Sequence, residues 1–217
     1  MILSAHYELP VDTTVRLITA NNVVVERIIR GKARHPAYDN RIRYPDLTIY
    51  TLETPLPPSI TPCKMLPANY AAYLSYLENG RPPVMILNKE EKALVHELRF
   101  IGAFNDRLYA LVPGPFTHFV RPGLHGKRLE FFRGLVPGDS GNPEFLIIND
   151  TLVLLSTTTF SDGRGSFVTP QISTLNAMIA AADAHAASRG YPLPTEQQGQ
   201  TVQTIDLSAF TTFTPSP

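Results

Sequence analysis

The apolar runs of this chain are short, and proline and glycine punctuate them from end to end. Twenty prolines and thirteen glycines are scattered through the sequence. Proline fixes φ and removes an amide donor, so no long helix can be built across it. Apolar runs of about four to eight residues bounded by such breakers have the length of strands. The pattern therefore predicts an all-β body. Leu47 and Ile49 alternate onto one face, as do Leu94, His96, Leu98 and Phe100. Phe145-Leu146-Ile147-Ile148 and Leu152-Val153-Leu154-Leu155, separated by Asn149-Asp150, read as a hairpin of buried strands. Further strands are expected at 15–25 (with a turn at Asn21-Asn22), 27–30, 83–87, 108–112, 116–120, 127–132 and 166–169, and a short helical turn at 70–77. The pattern changes at Ile172. Ile172, Leu175, Ile179 and Ala182 share one helical face, alanines dominate from 177 to 187, and Gly190 stands where helices end.

Composition narrows the function. The chain has 217 residues, 43% of them hydrophobic, which is enough for a real core. Nineteen basic and nineteen acidic residues cancel, so neither nucleic acid nor an anionic membrane is an expected partner. The densest basic stretch, 27–43, is interleaved with or flanked by Glu26, Asp39 and Asp46 and reads as a solvated face. Cys63 is the single cysteine, which rules out an intrachain disulfide. No run of 18 apolar residues is present to form a transmembrane helix. His-Glu-x-x-His and cysteine pairs are absent, so no metal or other cofactor is expected. The proline-dense stretch 55–67 reads as a connector near a unit boundary. Residues 191–217 read as a flexible tail or linker, within which Ile205-Asp206-Leu207 could dock as an edge strand.

Gly138-Asp139-Ser140-Gly141 is the stretch with chemistry in it. A serine between turn-forming residues can expose its hydroxyl at the tip of a tight turn, and the N–H groups of Gly138 and Ser140 could face one concavity suited to an oxyanion. Read alone, the four letters also fit an ordinary loop. A serine nucleophile needs a base, and the base needs an orienting group. Of six histidines, His35 precedes a proline in a charged loop, His96 and His118 lie in strands, His125 sits in a glycine-rich turn and His185 on the terminal helix. His6 ends an apolar strand. Asp46 opens an apolar strand, where an unpaired carboxylate would be costly to bury.

His6 in Ser4-Ala5-His6, His35-Pro36-Ala37-Tyr38, Asp46-Leu47-Thr48-Ile49-Tyr50, Leu66-Pro67 and Gly138-Asp139-Ser140-Gly141 together resemble the successive landmarks of the chymotrypsin/trypsin-like serine proteases. The order His, Asp, Ser and the intervals of 40 and 94 residues are similar to that family's. The resemblance covers roughly residues 1–188. It implies two six-stranded Greek-key β-barrels (1–66 and 67–170) and a C-terminal helix (171–188), with 189–217 as a tail. It implies a serine endopeptidase acting on a polypeptide. Ser140 would attack the carbonyl carbon, His6 would move the proton, and Asp46 would orient His6. Gly138 and Ser140 would form the oxyanion hole, and Asp139 would hold the loop. Ser156, Thr157 and Thr158 would pair with the substrate backbone. Gly134 would lie at the base of the specificity pocket, and Gly165 and Ser166 on its wall.

The sequence departs from the family at several points. Asn142 follows where most members have glycine, Thr158 stands where a glycine often opens the pocket, and Tyr7 replaces a cysteine. The chain also begins almost at the histidine, so the first barrel is expected to be incomplete, its missing strands lying upstream of Met1 or coming from elsewhere. Two other readings compete: a non-catalytic module that keeps the fold for binding, and an esterase with the same triad.

Overall fold

The computed structural model describes residues 2–4, 8–19, 21–39, 45–73, 81–90, 92–102, 116–123, 126–148, 151–160 and 164–208. Eleven strands make two sheets among these residues. The first contains β1 (Ile2–Ser4), β2 (Thr14–Ile18), β3 (Val24–Arg34) and β4 (Thr48–Leu52), in the order β1-β4-β3-β2, all antiparallel. The second contains β5 (Lys64–Met65), β6 (Pro83–Leu87), β7 (Ala93–Gly102), β8 (Phe116–Val120), β9 (Pro143–Ile148), β10 (Thr151–Phe160) and β11 (Arg164–Phe167). Its order is β11-β8-β7-β6-β9-β10-β5, with β11 paired to β10 as well.

The expectation of an all-β chain folded as two six-stranded barrels does not hold. The architecture is mixed, with 37% strand and 18% helix in two sheets of four and seven strands. The first sheet is open, and β1 and β2 are its edges. The hairpin end next to β2 leaves Ile18 61% exposed, with Val23 and Val24 also exposed. The second sheet takes in β5, which lies in the proline-dense connector and runs parallel to β10. The stretch expected as a strand at 127–132 is instead a short helix, α1 (Gly126–Leu129), followed by turns. The expected strand at 108–112 lies outside the described residues.

The long helix α2 (Ile172–Ser188) follows the sequence pattern closely. It buries Leu175, Met178, Ile179, Ala182 and Ala186. At its end Gly190 takes φ +86°, and the Gly190 and Tyr191 amides return to the Ala187 and Ala186 carbonyls. Those bonds satisfy two carbonyls that a helix terminus would otherwise leave open.

Leu175, Met178 and Ile179 of α2 pack with Leu47 just before β4, Ile49 of the first sheet, and Phe145 and Leu154 of the second, in one apolar cluster. This cluster joins the two sheets and carries the loop before β4 against the second sheet. Farther on, Met65 N–H donates to Gln203 O, and Ile205 N–H donates to Met65 O, both at 2.9 Å. Ile205 and Leu207 are buried in the main core of the second sheet. Residues 203–205 thus dock beside β5, so part of the stretch read as a tail is an element of the fold.

Candidate functional site

Ser140 sits in a turn between Val136 and Asn142, half-buried, and the turn's backbone explains its shape. Gly138 and Gly141 have φ of +102° and +88°, a region that residues with a Cβ seldom enter. Asp139 N–H donates to Val136 O (3.0 Å), and Asn142 N–H to Asp139 O (3.2 Å). The Asp139 side chain, 1% exposed, closes the turn from one flank. Its Oδ1 accepts from Lys89 N–H and its Oδ2 from Val136 N–H, each at 2.8 Å. The other flank is tied to β10, where Gly141 N–H donates to Thr158 O (2.8 Å) and Thr158 N–H to Asn142 O (2.9 Å). Among the described residues, the turn amides that donate to nothing are those of Gly138 and Ser140.

Asp46 is 3% exposed, at the start of the run that leads into β4. The backbone beside it is pinned by His35 N–H, which donates to Leu47 O (2.9 Å). Ala37 N–H donates to His35 Nδ1 (3.2 Å), so the ring proton belongs on Nε2, which donates to Gln171 Oε1 (3.1 Å). Burial pushes the pKa of His35 down, and the Gln171 bond offsets part of that. His35 is therefore a neutral structural link between the first sheet and the start of α2. His96 is another: it is buried, Nε2 donates to Arg133 O (2.9 Å), and burial lowers its pKa. His185 Nδ1 meets the backbone of Lys32. His6 lies outside the described residues, as does His125.

The residues expected to bind substrate are used differently. Ser156 and Thr157 pair with β9 on one side and β11 on the other. Thr158 pairs with Gly165 on β11, and both of its backbone groups facing the Ser140 turn are taken. No backbone edge remains open across Ser156–Thr158, which corrects the expectation that a substrate strand pairs there. Gly165 and Ser166 are buried; Ser166 Oγ bonds Thr159 Oγ1 (2.7 Å). Gly134 is exposed and lines an open depression of about 710 Å³ with Phe131, Val136 and Asp139. Ser156, Thr158, Gly165 and Ser166 do not line that depression, so the expected pocket base and walls do not share it.

What β8, β9, β10 and β11 enclose instead is Glu144, a residue the sequence reading passed over. It lies four positions after Ser140, on β9, with no exposed surface. Ser156 Oγ donates to Oε2, and Thr158 Oγ1 donates to Oε1 at 2.9 Å. Thr117 Oγ1, on β8, bonds both the carboxyl and Ser156 Oγ (2.8 Å). A Cβ on Gly165 would overlap Oε2, so glycine is required there. Burial pushes the Glu144 pKa up to about 8, and the Ser156, Thr158 and Thr117 hydroxyls oppose that rise in part. At neutral pH the group is mostly the protonated acid. The only sequence signal was an acidic residue at the head of an apolar strand, facing a Ser-Thr-Thr run on its neighbour.

No family model matches the chain, and no curated protein matches it in sequence. Among the described residues no cluster of three or more His, Cys, Asp or Glu side chains could hold a metal ion, and no helix is long and apolar enough to cross a membrane.

Proposed function

We propose that the chain is a serine endopeptidase in which Ser140 is the nucleophile and the Gly138 and Ser140 amides receive the oxyanion. The observation that carries this reading is the pair of amides itself. Every other N–H of the Val136–Asn142 turn is bonded within the protein, and these two, which flank Asp139, are not. Donors held in place by a fixed backbone stabilise a developing oxyanion without reorganising, the largest single contribution in many acyl-transfer enzymes. His6 is the proposed base and Asp46 its orienting acid. In support, Leu3 pairs with Ile49 and Ser4 with Thr48 in the β1–β4 register. β1 thus ends two positions before His6 in the sequence, and the β4 strand it pairs with begins two positions after Asp46. Asp46 is buried, as an orienting carboxylate should be.

A serine-directed fluorophosphonate, followed by mass spectrometry, tests this reading. The expected result is one adduct at Ser140, together with turnover of a casein substrate that falls on the order of 10⁴-fold in Ser140→Ala. An unreactive Ser140, or casein cleavage unchanged in Ser140→Ala, overturns it. Ester turnover without peptide turnover replaces it with an esterase.

A further inference from the structure

We propose that the Glu144 carboxyl, acting through Thr158, positions the Ser140 turn, and that loss of its proton releases that turn. Glu144 is thereby a positioning residue for the proposed reaction, and the inference rests on that reading.

The connection is short and made of named bonds. The carboxyl accepts from Thr158 Oγ1, and the Thr158 backbone holds Gly141 through its C=O and Asn142 through its N–H. Those two residues directly follow the nucleophile. Four strands contribute to the enclosure: β9 supplies Glu144, β8 supplies Thr117, β10 supplies Ser156 and Thr158, and β11 supplies Gly165. On β6 the residue paired with Glu144 is Ile86. Among the described residues, none of these elements brings a charged group to the carboxyl; the groups acting on it are the three hydroxyls. The side chains of Arg164 on β11 and His118 on β8 lie outside the described residues.

A hydroxyl can either donate or accept, so the cage suits a protonated acid, which must do both. Among the described residues, an anion there would have only neutral hydroxyls around it and no counter-charge. Charges left in such surroundings either take up a proton or open the structure to solvent. The place to open is Thr158. The β10 ladders shift register between Leu154 and Ser156 on the β9 side and between Thr158 and Phe160 on the β11 side. The Ser156–Thr158 segment is therefore held by a short run of regular pairing. Water admitted at Thr158 would loosen the bonds to Gly141 and Asn142 and shift Ser140. A misplacement of about 1 Å at a reacting atom can cost roughly 100-fold in rate.

The experiment follows amide protection factors at Gly141 and Thr158 from pH 6 to pH 10, alongside the rate of fluorophosphonate capture at Ser140, in the wild-type chain and in Glu144→Gln. The amide of Gln keeps a donor and an acceptor but cannot ionise. The expected result is that protection at the two amides falls about tenfold or more in the wild type, with a midpoint near pH 8, while protection elsewhere in the second sheet holds. Capture at Ser140 should decline over the same range. In Glu144→Gln both declines should disappear. Should that variant not fold, the wild-type profile decides by itself, because flat protection at Gly141 and Thr158 overturns the proposal. If Ser140 never reacts while protection still falls near pH 8, the release of the turn stands and the catalytic reading fails. If Ser140 reacts with the same pH profile in both proteins, the catalytic reading stands and the positioning role of Glu144 is overturned.

Discussion

Asp139 and Glu144 stand on either side of Ser140, both shut away from water, yet the groups around them differ in kind. Asp139 meets backbone amides of Lys89 and Val136, which can only donate. Glu144 meets the hydroxyls of Thr117, Ser156 and Thr158, which can donate or accept. Backbone amides are fixed by the chain's path, so the Asp139 flank is a permanent clamp. Hydroxyls rotate, so the Glu144 flank tolerates a proton and depends on it. The lesson is that burial alone does not say what a carboxyl does; the donor set around it does.

The largest expected effect tests the clamp. Asp139→Ala would leave two partly buried amides without acceptors, and a group so orphaned costs about 1–3 kcal/mol when buried. Urea unfolding at pH 7 should show a loss of about 4 kcal/mol, with fluorophosphonate capture at Ser140 abolished. A loss under about 1 kcal/mol would erase the distinction between the two flanks.

The next effect belongs to Glu144 and appears in how stability depends on pH. Its folded pKa of about 8 lies above the ordinary glutamate value of 4.5. For an acid whose pKa is raised by folding, the unfolded chain releases the proton first. The stabilisation is therefore whole below pH 4.5, drains as pH rises toward 8, and changes no further above that. One pH unit inside this window is worth up to about 1.4 kcal/mol. Between pH 6 and pH 8 the wild type should lose about 2 kcal/mol that Glu144→Gln does not lose. Parallel curves from urea titrations at a series of pH values would show that the cage does not hold a neutral acid.

A smaller effect sharpens the geometry of the cage. Gly165→Ala places a methyl group against Glu144 Oε2, and overpacking of this kind costs about 1–2 kcal/mol. The cost should persist in a Glu144→Gln background, where the side chain fills the same space, and fall in Glu144→Ala, where Thr117 Oγ1 remains the close neighbour. Equal costs in all three backgrounds, read from thermal unfolding, would place the conflict with some other neighbour.

Much of the local structure was legible from residue order. The alternation of Leu47 and Ile49, the hairpin around 149–150, the turn at Asn21-Asn22 and the helix from Ile172 all depend on periodicities of two or about four residues, which neighbours in sequence carry. The role of Asp139 as the holder of the Ser140 loop came only from the resemblance to the protease family; the bonds from Lys89 and Val136 belong to the fold. The stretch at 127–132 misled because its apolar residues suit either a strand or a turn of helix, and contact with β7 decided between them.

By itself, then, the sequence determined the strand-rich composition, the helix with its glycine stop, and a serine turn whose glycines permit its backbone. The tertiary structure alone decided which strands are neighbours, because pairing joins residues far apart in the chain. Lys64–Met65 aligns with β10 and with residues 203–205 only once the core has assembled. The fold likewise decided that Ser156, Thr158 and Gly165 surround a carboxyl rather than line an open pocket. Glu144 has nothing in its immediate sequence to neutralise or solvate it. Its chemistry comes from hydroxyls supplied by strands that meet only in the folded chain.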